Sequence, residues 1–133
     1  MEVRSVHHVA FAVPDLDEAV GTYERLFGAR VELRDRMEEQ GVEAAYLRVG
    51  SGRVELVSAL GDDTPVGRFL AKRGPGMHHV AYEVRDVGAA LRSLASAGAE
   101  LIDPKPRPGL GGHEVSFVQP DSVHGVLVEV IGA

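Results

Sequence analysis

The sequence predicts an α+β fold in which two βαβββ modules share one sheet, with a metal site assembled from matching residues of both. Three observations carry this prediction. His7-His8-Val9-Ala10 returns as His78-His79-Val80-Ala81, and the same offset of about 71 residues matches Phe11 with Tyr82, Val13 with Val84, Asp15 with Asp86 and Ala19 with Ala90. Each copy leads into a helical pattern and then three strand patterns. The last strand pattern of each copy carries one glutamate inside an apolar run, Glu55 and Glu129.

With 133 residues the chain fits a single domain: module one over about 4–60, a linker helix over about 64–73 and module two over about 76–132. A half of roughly 65 residues buries too little surface to be more than marginal alone, so the copies are expected to share a core. Fourteen basic against twenty acidic residues, a net charge of −6, give no electrostatic reason to expect nucleic acid or an anionic membrane. No apolar run approaches the length that spans a bilayer, and the start of the chain lacks the apolar stretch of a secretory signal. The absence of cysteine excludes disulfides, thiolate ligands and a cysteine nucleophile. A cytoplasmic enzyme or binding protein is the resulting expectation.

The first strand is expected over residues 6–13, where alternation separates two faces. His7, Val9, Phe11 and Val13 form a bulky face suited to packing under a helix. His8, Ala10 and Ala12 form a face of small residues with room for a ligand. The second copy repeats the division with His78, Val80, Tyr82 and Val84 against His79, Ala81 and Glu83. This selects His8 and His79 as metal ligands and leaves His7 and His78 to packing and to hydrogen bonds behind them. His113 and His124 fall in turn surroundings and are read as solvated.

Asp15 is the expected N-cap of the first helix, with Glu18 three residues on, an apolar stripe of Leu16, Ala19, Val20, Tyr23, Leu26 and Phe27, and Gly28 as the stop. Asp86 caps the second copy, Val87, Ala90, Leu91 and Leu94 form its stripe, and Gly98 ends it. Strands follow over residues 29–34, 43–49 and 53–59, then 100–102, 114–119 and 126–131. Thr64-Pro65 opens the linker helix, in which Val66, Phe69 and Leu70 are apolar, and Gly74-Pro75-Gly76 closes it.

Glu55 and Glu129 lie 74 positions apart, close to the offset of the histidines. A carboxylate buried without partners costs several kcal/mol or shifts its pKa, so both positions call for partners. His8, Glu55, His79 and Glu129 then make a two-His, two-Glu set. Nitrogen and oxygen donors suit Co, Ni, Zn, Mn or Fe and leave coordination positions for water or substrate.

Paired βαβββ units with these residues resemble the vicinal oxygen chelate superfamily, which also holds glyoxalases, extradiol dioxygenases and antibiotic-resistance proteins. The nearer resemblance is to the methylmalonyl-CoA epimerases. It rests on Val6-His7-His8-Val9-Ala10, Glu39-Gln40-Gly41-Val42, the stretch from Val66 to His79 with Phe69-Leu70-Ala71-Lys72-Arg73-Gly74, Pro104-Lys105-Pro106-Arg107 with Gly111-Gly112, and Gly125-Val126-Leu127-Val128-Glu129. The resemblance implies one curved mixed sheet around the metal, with cobalt foremost among the possible ions. It also implies a homodimer, an acyl-CoA substrate, and epimerisation at C2 of methylmalonyl-CoA through a stabilised enolate. Glu129 is then the expected base, with Glu43 or a water as the opposite partner, and backbone amides at Gly111 and Gly112 are available to an acyl-CoA arm.

The chain departs from the family at two places. It has Gln119-Pro120-Asp121 where the family usually has His-Pro-Lys, and Ala44 where some epimerases carry a second carboxylate. The superfamily leaves three other readings: a glyoxalase-type isomerase, an extradiol dioxygenase with two histidines and one carboxylate, and a metal-free drug-binding module. The extra Glu55 weighs against the dioxygenase. Four retained candidate ligands weigh against the metal-free module.

Overall fold

The computed structural model describes residues 1–133. Its elements are β1 (Ser5–Ala12), α1 (Leu16–Phe27), β2 (Arg30–Met37), β3 (Val42–Val49), β4 (Gly52–Ala59), α2 (Pro65–Arg73), β5 (Gly76–Glu83), α3 (Val87–Ser96), β6 (Arg107–Pro108), β7 (Glu114–Val118) and β8 (Leu127–Gly132). The βαβββ order therefore occurs twice around a linker helix. No helix is long and apolar enough to cross a membrane.

By contact the chain forms two compact units, Val9–His78 and Met1–His8 with His79–Ala133. Their limits differ from the modules read in the sequence, because β1 is divided: its first residues belong with the later part of the chain.

In the 9–78 unit the strand order is β2-β3-β4-β1. β1 runs parallel to β4, with Ala10 opposite Glu55, while β4 pairs antiparallel with β3, placing Tyr46 opposite Glu55. α1 forms where Asp15 accepts the Glu18 amide at 3.0 Å, and it stops at Gly28, whose φ of 63° costs a residue without a Cβ nothing. It buries Leu16 and Val20 against Ala45, Leu47 and Leu56, with Phe11 and Val13 packed on the same cluster. The bulky face of β1 thus lies under the helix. β2 continues to Met37, beyond the expected end at residue 34; it is an edge strand whose Arg34-Asp35-Arg36 run tolerates solvent. α2 opens on Thr64, which accepts the Gly67 amide at 3.0 Å.

In the other unit β5, β8, β7 and β6 follow in order. The Arg4 amide donates to the Glu83 carbonyl at 2.8 Å and His8 meets His79, so the start of β1 runs antiparallel to β5. β5 and β8 are parallel, with Ala81 opposite Glu129, and β8 pairs antiparallel with β7, placing Phe117 opposite Glu129. α3, capped by Asp86, buries Val87, Ala90 and Leu91 with Val84 and Val130.

The strand expected over residues 100–102 is reduced to a single bridge, Leu101 with Val118. Proline lacks the N–H that a ladder needs, and Pro104 and Pro106 end the pairing. The two-residue β6 takes up the edge instead, against Glu114 and Val115.

Candidate metal centre

His8, His79 and Glu129 converge within the 1–8 and 79–133 unit. Alternation places His8 on the small-residue face of β1 and His79 on the matching face of β5. The parallel register of β5 and β8 pairs Glu129 with Ala81, two pairs beyond His79 and so on the same face. All three are buried, at 1%, 4% and 6% exposure. His8 Nε2 lies 3.2 Å from His79 Nε2 and 3.3 Å from Glu129 Oε1, and His79 Nε2 lies 3.8 Å from Glu129 Oε2.

These separations test whether one ion fits. Two donors each about 2.0–2.1 Å from an ion lie about 2.8–3.4 Å apart at octahedral to tetrahedral angles. The two contacts of His8 fall inside that range, the third is wider, and every donor atom lies within 4.8 Å of the others. Two imidazole nitrogens and a carboxylate directed at one another in a buried place form a donor set that a divalent cation satisfies. The residues fit the ion.

His7 stands behind this group, its Nδ1 2.8 Å from His8 Nδ1. When His8 presents the Nε2 lone pair to an ion its proton is on Nδ1, so Nδ1–H donates to His7 Nδ1 and the ring is fixed in orientation and tautomer. The ring of His113 approaches His7 edge-on, with 6.3 Å between centroids, and Phe117 abuts His79 edge-on at 5.6 Å. His78 lies outside the cluster, in the 9–78 unit, with its ring against Phe69 at 4.9 Å. His124 is exposed in a turn with a φ of 69°.

Glu55 belongs to the 9–78 unit and holds there the register position that Glu129 holds in the other: each is opposite a small residue of the preceding parallel strand, Ala10 or Ala81, and opposite an aromatic, Tyr46 or Phe117. It is 7% exposed.

Glu43 does not share that face. It pairs with Ser58, whereas the Glu55 face of β3 holds Ala44 and Tyr46. Its carboxylate accepts from Arg34 Nε at 3.0 Å, and Arg34 also binds Asp17 of α1 at 2.7 Å. The guanidinium is thereby held above its usual pKa by Asp17 and Glu43. Glu43 is thus an ion-pair partner of Arg34 on the helix side of the sheet. Ala44 faces the right way but brings only a methyl group.

Gly111 and Gly112 lie in the turn between β6 and β7, with φ of 78° and 81°. The Gly112 amide donates to Gly109 and the Gly109 amide to His113. Both glycines thus shape the connection between β6 and β7.

Tyr46, Phe117, Arg53 and Glu32 escape a reading of the sequence, because their relation to the glutamates depends on cross-strand register. Arg53 stacks over Tyr46 at 5.7 Å and donates Nε to Glu32 at 2.9 Å. Glu32 also accepts from Arg48, and its pKa is lowered chiefly by the hydrogen bond from Arg53.

The fold and the donor cluster define a class. Residues 7–117 match the Glyoxalase/Bleomycin resistance protein/Dioxygenase superfamily. Within that superfamily the chain belongs to the methylmalonyl-CoA epimerase family. It is 36% identical over 129 residues to the mitochondrial methylmalonyl-CoA epimerase of Dictyostelium discoideum, spanning 96% of this chain and 78% of that one. The ethylmalonyl-CoA/methylmalonyl-CoA epimerase of Cereibacter sphaeroides is 36% identical over 127 residues, spanning 94% and 95%. A solved methylmalonyl-CoA epimerase in complex with methylmalonyl-CoA and NH4+ superposes with a TM-score of 0.95 at 32% identity, covering 99% of this chain and 96% of that one. The expected fold and family agree with these findings.

Proposed function

We propose that the protein interconverts the C2 epimers of methylmalonyl-CoA with a divalent ion, cobalt foremost, held by His8, His79 and Glu129. Glu55 is the fourth ligand of this reading, on the strength of its register equivalence to Glu129. The observation that carries the proposal is the buried convergence of two imidazoles and a carboxylate in a chain of this family. A bound divalent ion supplies Lewis acidity for negative charge developing on substrate oxygens as the C2 proton leaves.

The chain's own residues handle orientation and the proton. His7 fixes the His8 ring, and Phe117 packs the edge of His79. The Glu129 carboxylate takes the C2 proton from one face, a contribution of about 10² to 10⁴-fold for a positioned base. Glu43, or a water while Arg34 holds Glu43, returns a proton to the opposite face. The Gly111-Gly112 turn lies against the acyl-CoA arm, and the working assembly is a cytoplasmic homodimer.

Proton NMR in deuterium oxide with one methylmalonyl-CoA epimer and cobalt-loaded protein tests the reading. Exchange of the C2 proton with appearance of the second epimer is expected. No exchange from protein that holds metal overturns it.

A further inference from the structure

We infer that His113 is a positioning residue for the metal centre: its ring holds that of His7, which in turn holds His8 toward the ion. This rests on the metal reading above and lies wholly within the 1–8 and 79–133 unit. Four imidazoles follow one another there, with ring centroids 5.3 Å apart from His79 to His8, 5.1 Å from His8 to His7 and 6.3 Å from His7 to His113. The first two rings of the row belong to the donor set, and the third sets its Nδ1 against that of His8 at 2.8 Å. The fourth ends the row, just after the turn between β6 and β7.

A ligand ring is held no better than the ring behind it. With His8 Nε2 turned to an ion, His8 Nδ1–H donates to His7 Nδ1, so the proton of neutral His7 is on Nε2. Rotation about the Cβ–Cγ bond of histidine has broad, roughly two-fold wells, and a half-turn puts a carbon where Nδ1 stood. Covalent geometry alone therefore leaves His7 free to lose its acceptor, and contacts on the ring decide its rotation. His113 meets that ring edge-on, with 67° between the planes, an arrangement that aromatic pairs favour over a sandwich.

The His113 ring is delivered by a braced backbone. Its carbonyl accepts the Gly109 amide at 2.7 Å, and the Gly112 amide donates to the Gly109 carbonyl at 3.0 Å. Gly109 lies so close to the buried Val115 that a Cβ there would stand 2.8 Å from Val115 Cγ1. Glu114, the next residue along, is already in β7 and paired with Gly132 of β8. The chain is thus fixed on both sides of the histidine. His113 is half-buried, although its turn surroundings suggest a solvated side chain.

Competition between protein and a chelator for cobalt, run as a double-mutant cycle, tests the inference. His113→Ala is expected to weaken cobalt affinity about 3- to 10-fold, the scale of one lost ring contact, and to shift the visible absorption of the bound cobalt. In a His7→Ala background the same substitution is expected to change affinity by less than about twofold, because the ring through which His113 acts is gone. His113→Phe keeps a ring at the position and should bind cobalt within about twofold of the wild type. Three results overturn the inference: an unmoved affinity in His113→Ala, a loss as large in the His7→Ala background as in the wild type, or a loss as large with phenylalanine as with alanine. If His113→Ala fails to fold, His113→Ser takes its place in the cycle. Wild-type protein that takes up no divalent ion overturns the metal reading and this one with it, whereas cobalt held with an unmoved affinity in His113→Ala overturns this one alone.

Discussion

At the scale of single residues the histidines divide by what they touch. His8→Ala or His79→Ala removes one of three converging donors, and elemental analysis after dialysis is expected to show loss of bound divalent metal with retained circular dichroism. His7→Ala breaks the 2.8 Å contact that orients His8 and should weaken metal affinity about 10- to 100-fold, measured by competition with a chelator. Glu32 makes a pH-dependent contribution of definite sign. Because Arg53 and Arg48 lower its pKa in the folded protein, the folded state binds fewer protons there. Its contribution is present above the ordinary carboxylate range and is lost as pH falls through the lowered value. Urea titrations of Glu32→Gln should show a flatter loss of stability on acidification than the wild type. That His8 and His79 share the small-residue face was legible in the sequence, since alternation along one strand requires only that strand. The stacking of Arg53 on Tyr46 was not, because it depends on which residues of β3 stand opposite those of β4. The ion pair of Glu43 with Arg34, which in turn binds Asp17, was not legible for the same reason.

At the scale of elements, the caps were readable because they are local. Asp15 and Asp86 each accept an amide three residues on at 3.0 Å. Asp86→Ala should cost about 0.5–2 kcal/mol in chemical denaturation. Gly67 is a different case, needed for close approach: a Cβ there would lie 2.3 Å from the Gly61 carbonyl oxygen and 2.7 Å from that of Asp62. Backbone atoms at such distances must shift, so Gly67→Ala is expected to destabilise by about 1–3 kcal/mol despite alanine's better helix propensity. Strand boundaries were less legible where proline and charge compete with pairing. Pro104 and Pro106 reduced the expected strand at 100–102 to one bridge, while the charged run at 34–36 stayed in β2 because an edge strand leaves one side to water.

At the scale of the whole molecule, ligand linkage tests the metal reading without reference to turnover. An ion that binds only the folded state contributes about 2.7 kcal/mol at one hundred times its Kd. Thermal unfolding of chelator-treated protein should therefore show Tm rising on titration with cobalt, and the rise should vanish in His8→Ala. The repeat made the two βαβββ halves legible, since duplicated local patterns need no knowledge of tertiary contacts. The division of β1 was not legible, because it is decided by partners far along the chain. That division bears on how the protein folds. The His8–His79 contact joins residues 71 apart and Ser5 reaches Glu83 across 78, so the donor cluster forms only after a long loop has closed, a step whose entropy is unfavourable until the later strands are in place. β1–β4 pairing within residues 9–78 can precede it. Histidine convergence is thus a late event in refolding, and metal capture reports its completion.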